Sequence, residues 1–555
     1  MENSPRIGVI LCYCGNEIRE ALDFPEIETF VRALPGVVYV GAEAYPCSRP
    51  GVATLANAIK EHRLERIVIA GCTPRLHGKL VAQACESAGL NRWYVDVANV
   101  REHCSRVHKD KAGATKKAKA LIGASVKKVS LSGSYEPVRA TPENSVLVIG
   151  GGLSGLGVAA ELASLSGSGT PDVTLIEKEE VLGGMLLRLH RPYPYGKAAR
   201  DIVEERLSKI EGKVRLLKRT ELVSFAGAPG RYRARLSTDG RIEECQFGAI
   251  VVATGADCVS LTELLESPPL RGISTFGGRI LGQIDFEREL PNETLKGARS
   301  VLFLNVSASR LSHSTSRVYS LVALKNATSL KEASPGLETQ FVFANVPSEM
   351  EREFHRAKNA GVTFVKCDDD ANIEFVKAGL LLKDGVRVSA DVVVLPTFLK
   401  PRPGSDKLAE LLRIPVDAHG FFVESHIKLR PGDFVERGIF VVGSCHSPAT
   451  ILECGTQAMA AASRISRFLG SEIVKAPLFS KIDENVCRGC SRCAEACRWD
   501  AIEMVTLDNG LKRANVDETL CTGCGVCSTV CINGAPSLAP VTQRQIKAMV
   551  EVVGA

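Results

Sequence analysis

Eight of the cysteines fall between Cys487 and Cys531 in two runs of one pattern. Cys487, Cys490, Cys493 and Cys497 follow C-x2-C-x2-C-x3-C, and Cys521, Cys524, Cys527 and Cys531 repeat it. Three thiolates at that spacing on a tight loop reach three irons of one face of a [4Fe–4S] cubane. The fourth lies about one helical turn on, and in a two-cluster module it serves the other cluster. The spacing therefore assigns one cluster to Cys487, Cys490, Cys493 and Cys531, and the other to Cys521, Cys524, Cys527 and Cys497. Zinc is the alternative, but it favours two ligand pairs separated by a longer spacer over four cysteines within eleven residues.

These two motifs resemble those of bacterial two-cluster ferredoxins. They depart from them where a proline usually follows the fourth cysteine: Arg498 and Ile532 stand there instead. That position holds no ligand, so the change touches loop rigidity and the cluster potential rather than ligation.

A second signature lies upstream in SVLVIGGGLSGLG, where Gly150, Gly152 and Gly155 form G-x-G-x-x-G around Leu153 and Ser154, after a strand and at the mouth of a helix. Such glycines permit a tight turn and the close approach of a pyrophosphate to the helix N-terminus, whose free N–H groups favour an anion. Alone, the motif reads equally well as a packing turn. Its context adds Glu177 and Lys178 at the end of DVTLIEK, where a carboxylate can accept from ribose hydroxyls. Further on come Gly183, Gly184 and Met185 in LGGM, Thr254 and Gly255 in IVVATGAD, and Gly443 and Ser444 in GIFVVGSCHSP. This ordered set resembles the thioredoxin-reductase-like disulfide oxidoreductase flavoproteins, and the resemblance implies FAD lined by those residues. Those relatives carry a second glycine fingerprint for NAD(P)H, but the corresponding stretch here, RSVLFLNVSASRLSH, has none. Nor does the flavin region contain a C-x-x-C or C-x4-C redox pair. Electrons are expected to enter and leave through proteins.

The elements that must carry these motifs can be read from periodicity. A chain of 555 residues exceeds one hydrophobic core, and a prior of ~150 residues per domain suggests several units. Residues 1 to about 135 alternate strand and helix patterns, from RIGVILC to ATKKAKALIGASVKKV, which predicts a small parallel α/β domain. A polar linker precedes a second α/β unit that opens at Ser145 and ends on a long helix in ILECGTQAMAAASRISRFLG. The reading is three domains: 1–140, an N-terminal parallel α/β domain; 141–475, an FAD domain with a degenerate middle subdomain; and 476–555, a two-cluster ferredoxin-like α+β module. A formal charge of +6 without a Lys/Arg stripe argues against nucleic-acid binding. The start MENSPRIGVILCYC lacks a cleavage site, and no run reaches the ~18 apolar residues that span a bilayer. With 19 cysteines and no secretory signal, metal ligation in the cytoplasm is expected over disulfides, and no direct membrane insertion.

Taken whole, the chain resembles the flavin-bearing iron–sulfur component of heterodisulfide reductase, HdrA, and its relatives, including the flavin subunits of the quinone-interacting membrane-bound oxidoreductase complex. The segments that carry the likeness are GVILCYCG, AYPCSRPG, VIAGCTPRLH, ANVREHCSRVH, the glycine motif, ALKNA at 323–327, GIFVVGSCHSPATILECGTQAMAAA and the terminal cysteine module. The resemblance implies an iron–sulfur flavoprotein oxidoreductase that passes electrons between one FAD and two [4Fe–4S] clusters in a hetero-oligomeric anaerobic complex. Its partners would be further redox subunits: those of heterodisulfide reductase, quinone-linked proteins, hydrogenases or dehydrogenases. The family includes flavin-based bifurcation. Two rival readings are an NAD(P)H-dependent reductase like the small subunit of glutamate synthase, and a non-catalytic scaffold that binds FAD structurally.

Two departures from the family pattern are visible. No cysteine-bearing ferredoxin module is inserted after L-G-G, where LHRPYPYGKAARDIVEERL runs instead. In the middle subdomain Asn305, Thr315, Tyr319 and Ser320 stand where family thiolates ligate another cluster. The N-terminal Cys12, Cys14, Cys47, Cys72, Cys85 and Cys104 show no compact ligand spacing and read as structural, with a metal centre as the alternative. Lys325 matches a family lysine near the flavin, where a cation would stabilise the reduced anionic form; the alternative is an exposed helix lysine.

Overall fold

The computed structural model describes residues 4–165, 169–194, 196–265, 275–289, 295, 297–305, 313–344, 350–367, 373–382 and 385–554, without the side chains of 289 and 313–316. By contact density the chain divides into two compact units, Met1–Arg139 with Val474–Ala555, and Ala140–Ile473.

The first unit opens with a four-stranded parallel sheet ordered Val37–Glu43, Ile7–Cys12, Arg66–Gly71, Val95–Asn99. Its first strand is buried at every position, as expected of a central strand covered by helices on both faces. The chain leaves that strand to one side and returns on the other, so the sheet has a switch point between Ile7–Cys12 and Arg66–Gly71. In such sheets the crevice lies beyond the carboxyl ends of the strands flanking the switch point.

The terminal module of this unit is built from two antiparallel strand pairs, Phe479–Ile482 with Pro536–Ala539 and Ile502–Thr506 with Lys512–Val516. Short helices Arg492–Glu495 and Val526–Val530 follow the two cysteine loops. The last helix, Gln543–Gly554, lies against helix Lys111–Ser130. There Gln545 Nε2 donates to the Lys128 carbonyl (3.2 Å) and to Ser132 Oγ (3.0 Å).

The second unit holds two parallel sheets of five strands each. One runs Ile439–Val441, Ala249–Val252, Ser145–Ile149, Asp172–Ile176, Val214–Leu217. The other runs Arg279–Gly282, Val392–Leu395, Ser300–Asn305, Glu338–Phe343, Thr363–Lys366. The chain crosses between them along the antiparallel pair Ala256–Cys258 and Leu399–Pro401. Helix Leu153–Ala163 packs on the closing helix Ile451–Leu469 closely enough that a Cβ on Gly157 would stand 3.0 Å from Ala458 Cβ. Among the described residues no helix is long and apolar enough to cross a membrane.

Candidate functional site: a flavin groove and a cysteine module

The glycine loop forms because strand Ser145–Ile149 ends in the first sheet directly before helix Leu153–Ala163. Gly150 has φ of +112°, and a Cβ there would stand 2.5 Å from the Ala253 carbonyl oxygen. Gly155 lets the helix close on the strand: its Cβ would fall 1.9 Å from the Gly150 carbonyl oxygen. Neither position accepts a side chain without displacing backbone.

Around this loop lies a cavity of about 190 Å³ whose walls include Gly150, Gly152, Leu153, Ser154, Glu177, Gly183, Gly184, Met185, Thr254, Gly255 and Ser444. Segments spread over some 300 residues of sequence thus meet at one place. A second cavity of about 480 Å³, lined by Lys178, Glu221 and Lys407 among others, shares Gly150, Glu177, Thr254 and Arg402 with the first. The two form one elongated groove. Gly155 and Gly443 lie outside its walls: Gly155 supports the loop from beneath, and the Gly443 amide donates to Gln457 Oε1 (2.7 Å).

Glu177 does more than wait for a ribose. Its buried carboxylate accepts from the Gly151 amide (2.7 Å) and the Glu179 amide (3.0 Å), so it also holds the glycine loop in shape. Two helix N-termini face the first cavity, that of Leu153–Ala163 and that of Ile451–Leu469. The latter is closed by a capping box between Thr450 and Glu453. Glu453 is in turn bound by Arg317 Nη2 (2.6 Å), which ties it to helix His313–Ala333, whose Val318, Tyr319 and Val322 form another wall.

Sequence reasoning did not pick out Cys258, Gln283, Arg402, Thr450 or Cys454, and read Tyr319 only as a position where a thiolate is missing; all six line this cavity. Of these, only the T-x-x-E cap had a local signature. Burial pushes the Cys258 thiol up to about 11, and its sulfur lies 3.8 Å from Met185 Sδ. Thr254 Oγ1 and Arg402 Nε are buried without a hydrogen-bond partner among the described residues. Buried polar atoms are normally satisfied. Two orphans on the walls of a glycine-rimmed groove with helix N-termini fit a dinucleotide such as FAD, which would supply acceptors to both.

Lys325 is neither exposed nor on the cavity wall. Its ammonium is buried against Glu287 Oε2 (3.0 Å), and Glu287 Oε1 accepts from the His190 and Arg191 amides (3.2 and 3.1 Å). Burial lowers the lysine from its ordinary value and the Glu287 charge opposes that. At the positions where family thiolates would stand, Ser320 Oγ donates to Asn305 Oδ1 (2.8 Å), both buried, and the Tyr319 ring packs edge-on against Phe398. The Thr315 side chain and residues 306–312 lie outside the described residues, as does Tyr195.

In the terminal module Cys487, Cys490, Cys493 and Cys531 surround one small cavity, the combination that the crossed spacing assigned. Cys521 feels the charges of Cys527 and Cys497, and burial pushes its thiol above the usual value. Backbone N–H groups point at two of these sulfurs, Ser480 at Cys521 (3.4 Å) and Ala501 at Cys497 (3.3 Å). Such donors stabilise thiolates held in a cluster.

The N-terminal cysteines separate into two kinds. Cys85 and Cys104 are fully buried core residues. Cys12, the last residue of its strand, and Cys14, Cys47 and Cys72 beyond the carboxyl ends of theirs instead gather near enough that Cys12 and Cys72 each feel the charges of Cys14 and Cys47. Cys14 has φ of +47° and its sulfur accepts from Arg101 Nη1 (3.1 Å). Burial works to lower the Arg101 guanidinium, but hydrogen bonds to Cys14 and Glu102 lift it above the usual arginine value. Among the described residues no three His, Cys, Asp or Glu side chains close around a single metal ion.

Comparison with known proteins covers the same parts. Residues 144–285 match the pyridine nucleotide-disulphide oxidoreductase family, and residues 486–535 match the 4Fe-4S dicluster domain. The chain is 29% identical to a CoB–CoM heterodisulfide reductase iron-sulfur subunit of Methanopyrus kandleri, over 92% of this chain and 93% of that one. It is 27% identical to a heterodisulfide reductase A-subunit-like protein of Archaeoglobus profundus, with the same coverage of 92% and 93%. The first alignment runs over 618 positions, so that relative contains residues without a counterpart here. Among solved structures, the thioredoxin reductase of T. acidophilum aligns with 58% of this chain and 97% of its own at 14% identity and a TM-score of 0.39. The chain is an HdrA-like oxidoreductase, similar over more than nine-tenths of its length to the A subunits of heterodisulfide reductases, and it combines a pyridine-nucleotide-disulfide-oxidoreductase-type FAD domain with a 4Fe-4S dicluster domain.

Proposed function

We propose that this chain is the electron-distributing component of a multi-subunit redox complex. One FAD in the groove exchanges electron pairs with one partner, and two [4Fe–4S] clusters in the terminal module carry single electrons to another. FAD supplies the exchange between two-electron and one-electron chemistry. The observation that carries this reading is the convergence of widely separated segments on one groove, with Thr254 Oγ1 on its wall left without a partner among the described residues. Gly150, Gly152, Leu153, Ser154 and the helix they open would take the pyrophosphate, and Glu177 and Lys178 the adenosine end. Gly183, Gly184, Met185, Thr254, Gly255 and Ser444 would bound the flavin half. Lys325 acts as a positioning residue: through Glu287 it fixes the backbone at His190 and Arg191, whose neighbours Leu189, Pro192 and Tyr193 are walls of the flavin cavity.

The crossed sets Cys487, Cys490, Cys493, Cys531 and Cys521, Cys524, Cys527, Cys497 would hold the clusters. Free thiolates at this density point to a reducing compartment, the cytoplasm. The M. kandleri relative is a component of a heterodisulfide reductase, and further redox subunits of that kind are the partners this reading requires. Anaerobic mixing tests it. A low-potential one-electron donor bleaches the flavin and reduces the clusters, whereas NADH or NADPH alone leaves the flavin oxidised. Bleaching by a nicotinamide nucleotide without any partner would favour the glutamate synthase-like reductase, and a flavin that no donor reduces would favour the scaffold.

A further inference from the structure

Resting on the flavin reading, we propose that Arg402 is the cation that pairs with the diphosphate of the bound dinucleotide. Among the described residues Arg402 is the only lysine or arginine on the wall of the first cavity, and the only one on the walls of both. The two cavities share it with Gly150, Glu177 and Thr254, so it stands at the waist of the groove, where the linkage between the two halves of a dinucleotide must pass.

Its place is set by sheet register. Pro401 pairs with Ala256 across the antiparallel crossing, and the next residue is thereby carried past Gly255 towards Thr254, on the lip facing the glycine loop. Prolines on both sides, Pro401 and Pro403, restrict the backbone, and the Ser405 amide fastens it by donating to the Arg402 carbonyl (3.1 Å). The backbone that carries the side chain is therefore held before any ligand arrives.

Among the described residues no protein group explains this placement by pairing with the guanidinium. Among the described residues its Nε is buried without an acceptor. Glu177, the one acid among the described residues lining the first cavity, spends its oxygens on the Gly151 and Glu179 amides. An arginine fork matches phosphate oxygens geometrically, and such charge-assisted bonds are stronger than neutral ones. The diphosphate would then be neutralised from two sides, by the amides of the helix opening at Leu153 and by Arg402.

The test is flavin release from the holoprotein, followed as the rise of free-flavin fluorescence on dilution, for wild type, Arg402→Gln and Arg402→Lys at low and high salt. Arg402→Gln releases flavin roughly tenfold to a hundredfold faster and with less dependence on salt. Arg402→Lys keeps the charge, folds even where the glutamine variant does not, and releases several-fold faster because the fork is lost. Release at the wild-type rate in both variants, or in the lysine variant where it alone folds, overturns the proposal while the flavin reading stands. So does an effect confined to the flavin reduction potential, which would put the guanidinium against the ring. A wild-type chain that neither purifies with FAD nor binds it overturns the flavin reading itself.

Discussion

The C-terminal module and the N-terminal sheet rim each gather four or more thiols, but by opposite means. In the module each motif spaces three cysteines by two residues, and the cavity lined by Cys487, Cys490 and Cys493 draws its fourth, Cys531, from the other motif. At the rim, Cys12 ends one strand and Cys14 follows it, while Cys47 follows a second and Cys72 a third, separated by up to 60 residues and joined only because parallel strands end on the same side. Local spacing announces the first arrangement. The second appears only once strand order is known. The difference extends to what surrounds the sulfurs: backbone amides in the module, an arginine in an ion-pair network at the rim.

The strongest way to break this comparison is to test the crossing. Cys531→Ser removes about four irons and the signal of the cluster otherwise held by Cys487, Cys490 and Cys493, and Cys497→Ser does the same to the other. Iron analysis and EPR of each variant check it, and loss of the cluster belonging to the substituted residue's own motif would refute the crossed assignment.

A contrast between buried and exposed charge sharpens it next. Lys325→Met strands Glu287 in the interior and costs about 3–5 kcal/mol in denaturant unfolding, with weakened flavin retention. Pairing it with Glu287→Met recovers much of that, unless the His190 and Arg191 amides that Glu287 serves dominate.

Gly155→Ala, which drives a Cβ into the Gly150 carbonyl, costs about 1–3 kcal/mol and lowers flavin content more than iron content, as absorbance and iron assays of one preparation would record.

At the N-terminal rim the effects are smallest. Burial pushes Cys12 at the rim and Cys85 in the core up to about 12, so both stay protonated at pH 8 and resist alkylation until the chain unfolds. Cys14, half-exposed, is labelled before either of them, as peptide mass spectrometry after timed alkylation reports.

How much was legible follows the same division. The cysteine module and the glycine loop announce themselves because their chemistry depends on spacing within a dozen residues. The alternating strand and helix patterns likewise gave the parallel α/β architecture. What lay hidden depends on tertiary geometry. Arg402 reaches the groove through the register of Pro401 on Ala256, which no local pattern encodes. Lys325 reads as either a flavin cation or a surface residue, and only the fold brings Glu287 to it. The sequence places the terminal module at the far end of the chain from the N-terminal domain. The two fall in one compact unit because helix Gln543–Gly554 lies along Lys111–Ser130, and that helix face carries no motif.

The central claim is one flavin and two crossed clusters, with the N-terminal thiols outside the relay. Iron and flavin content of anaerobically purified protein, with EPR of the dithionite-reduced state, tests it most directly. The account predicts about eight irons per FAD and the coupled signals of two neighbouring [4Fe–4S] clusters. About twelve irons per FAD, with a third signal lost on substitution of Cys14 or Cys72, would contradict it and make the sheet rim a cluster site.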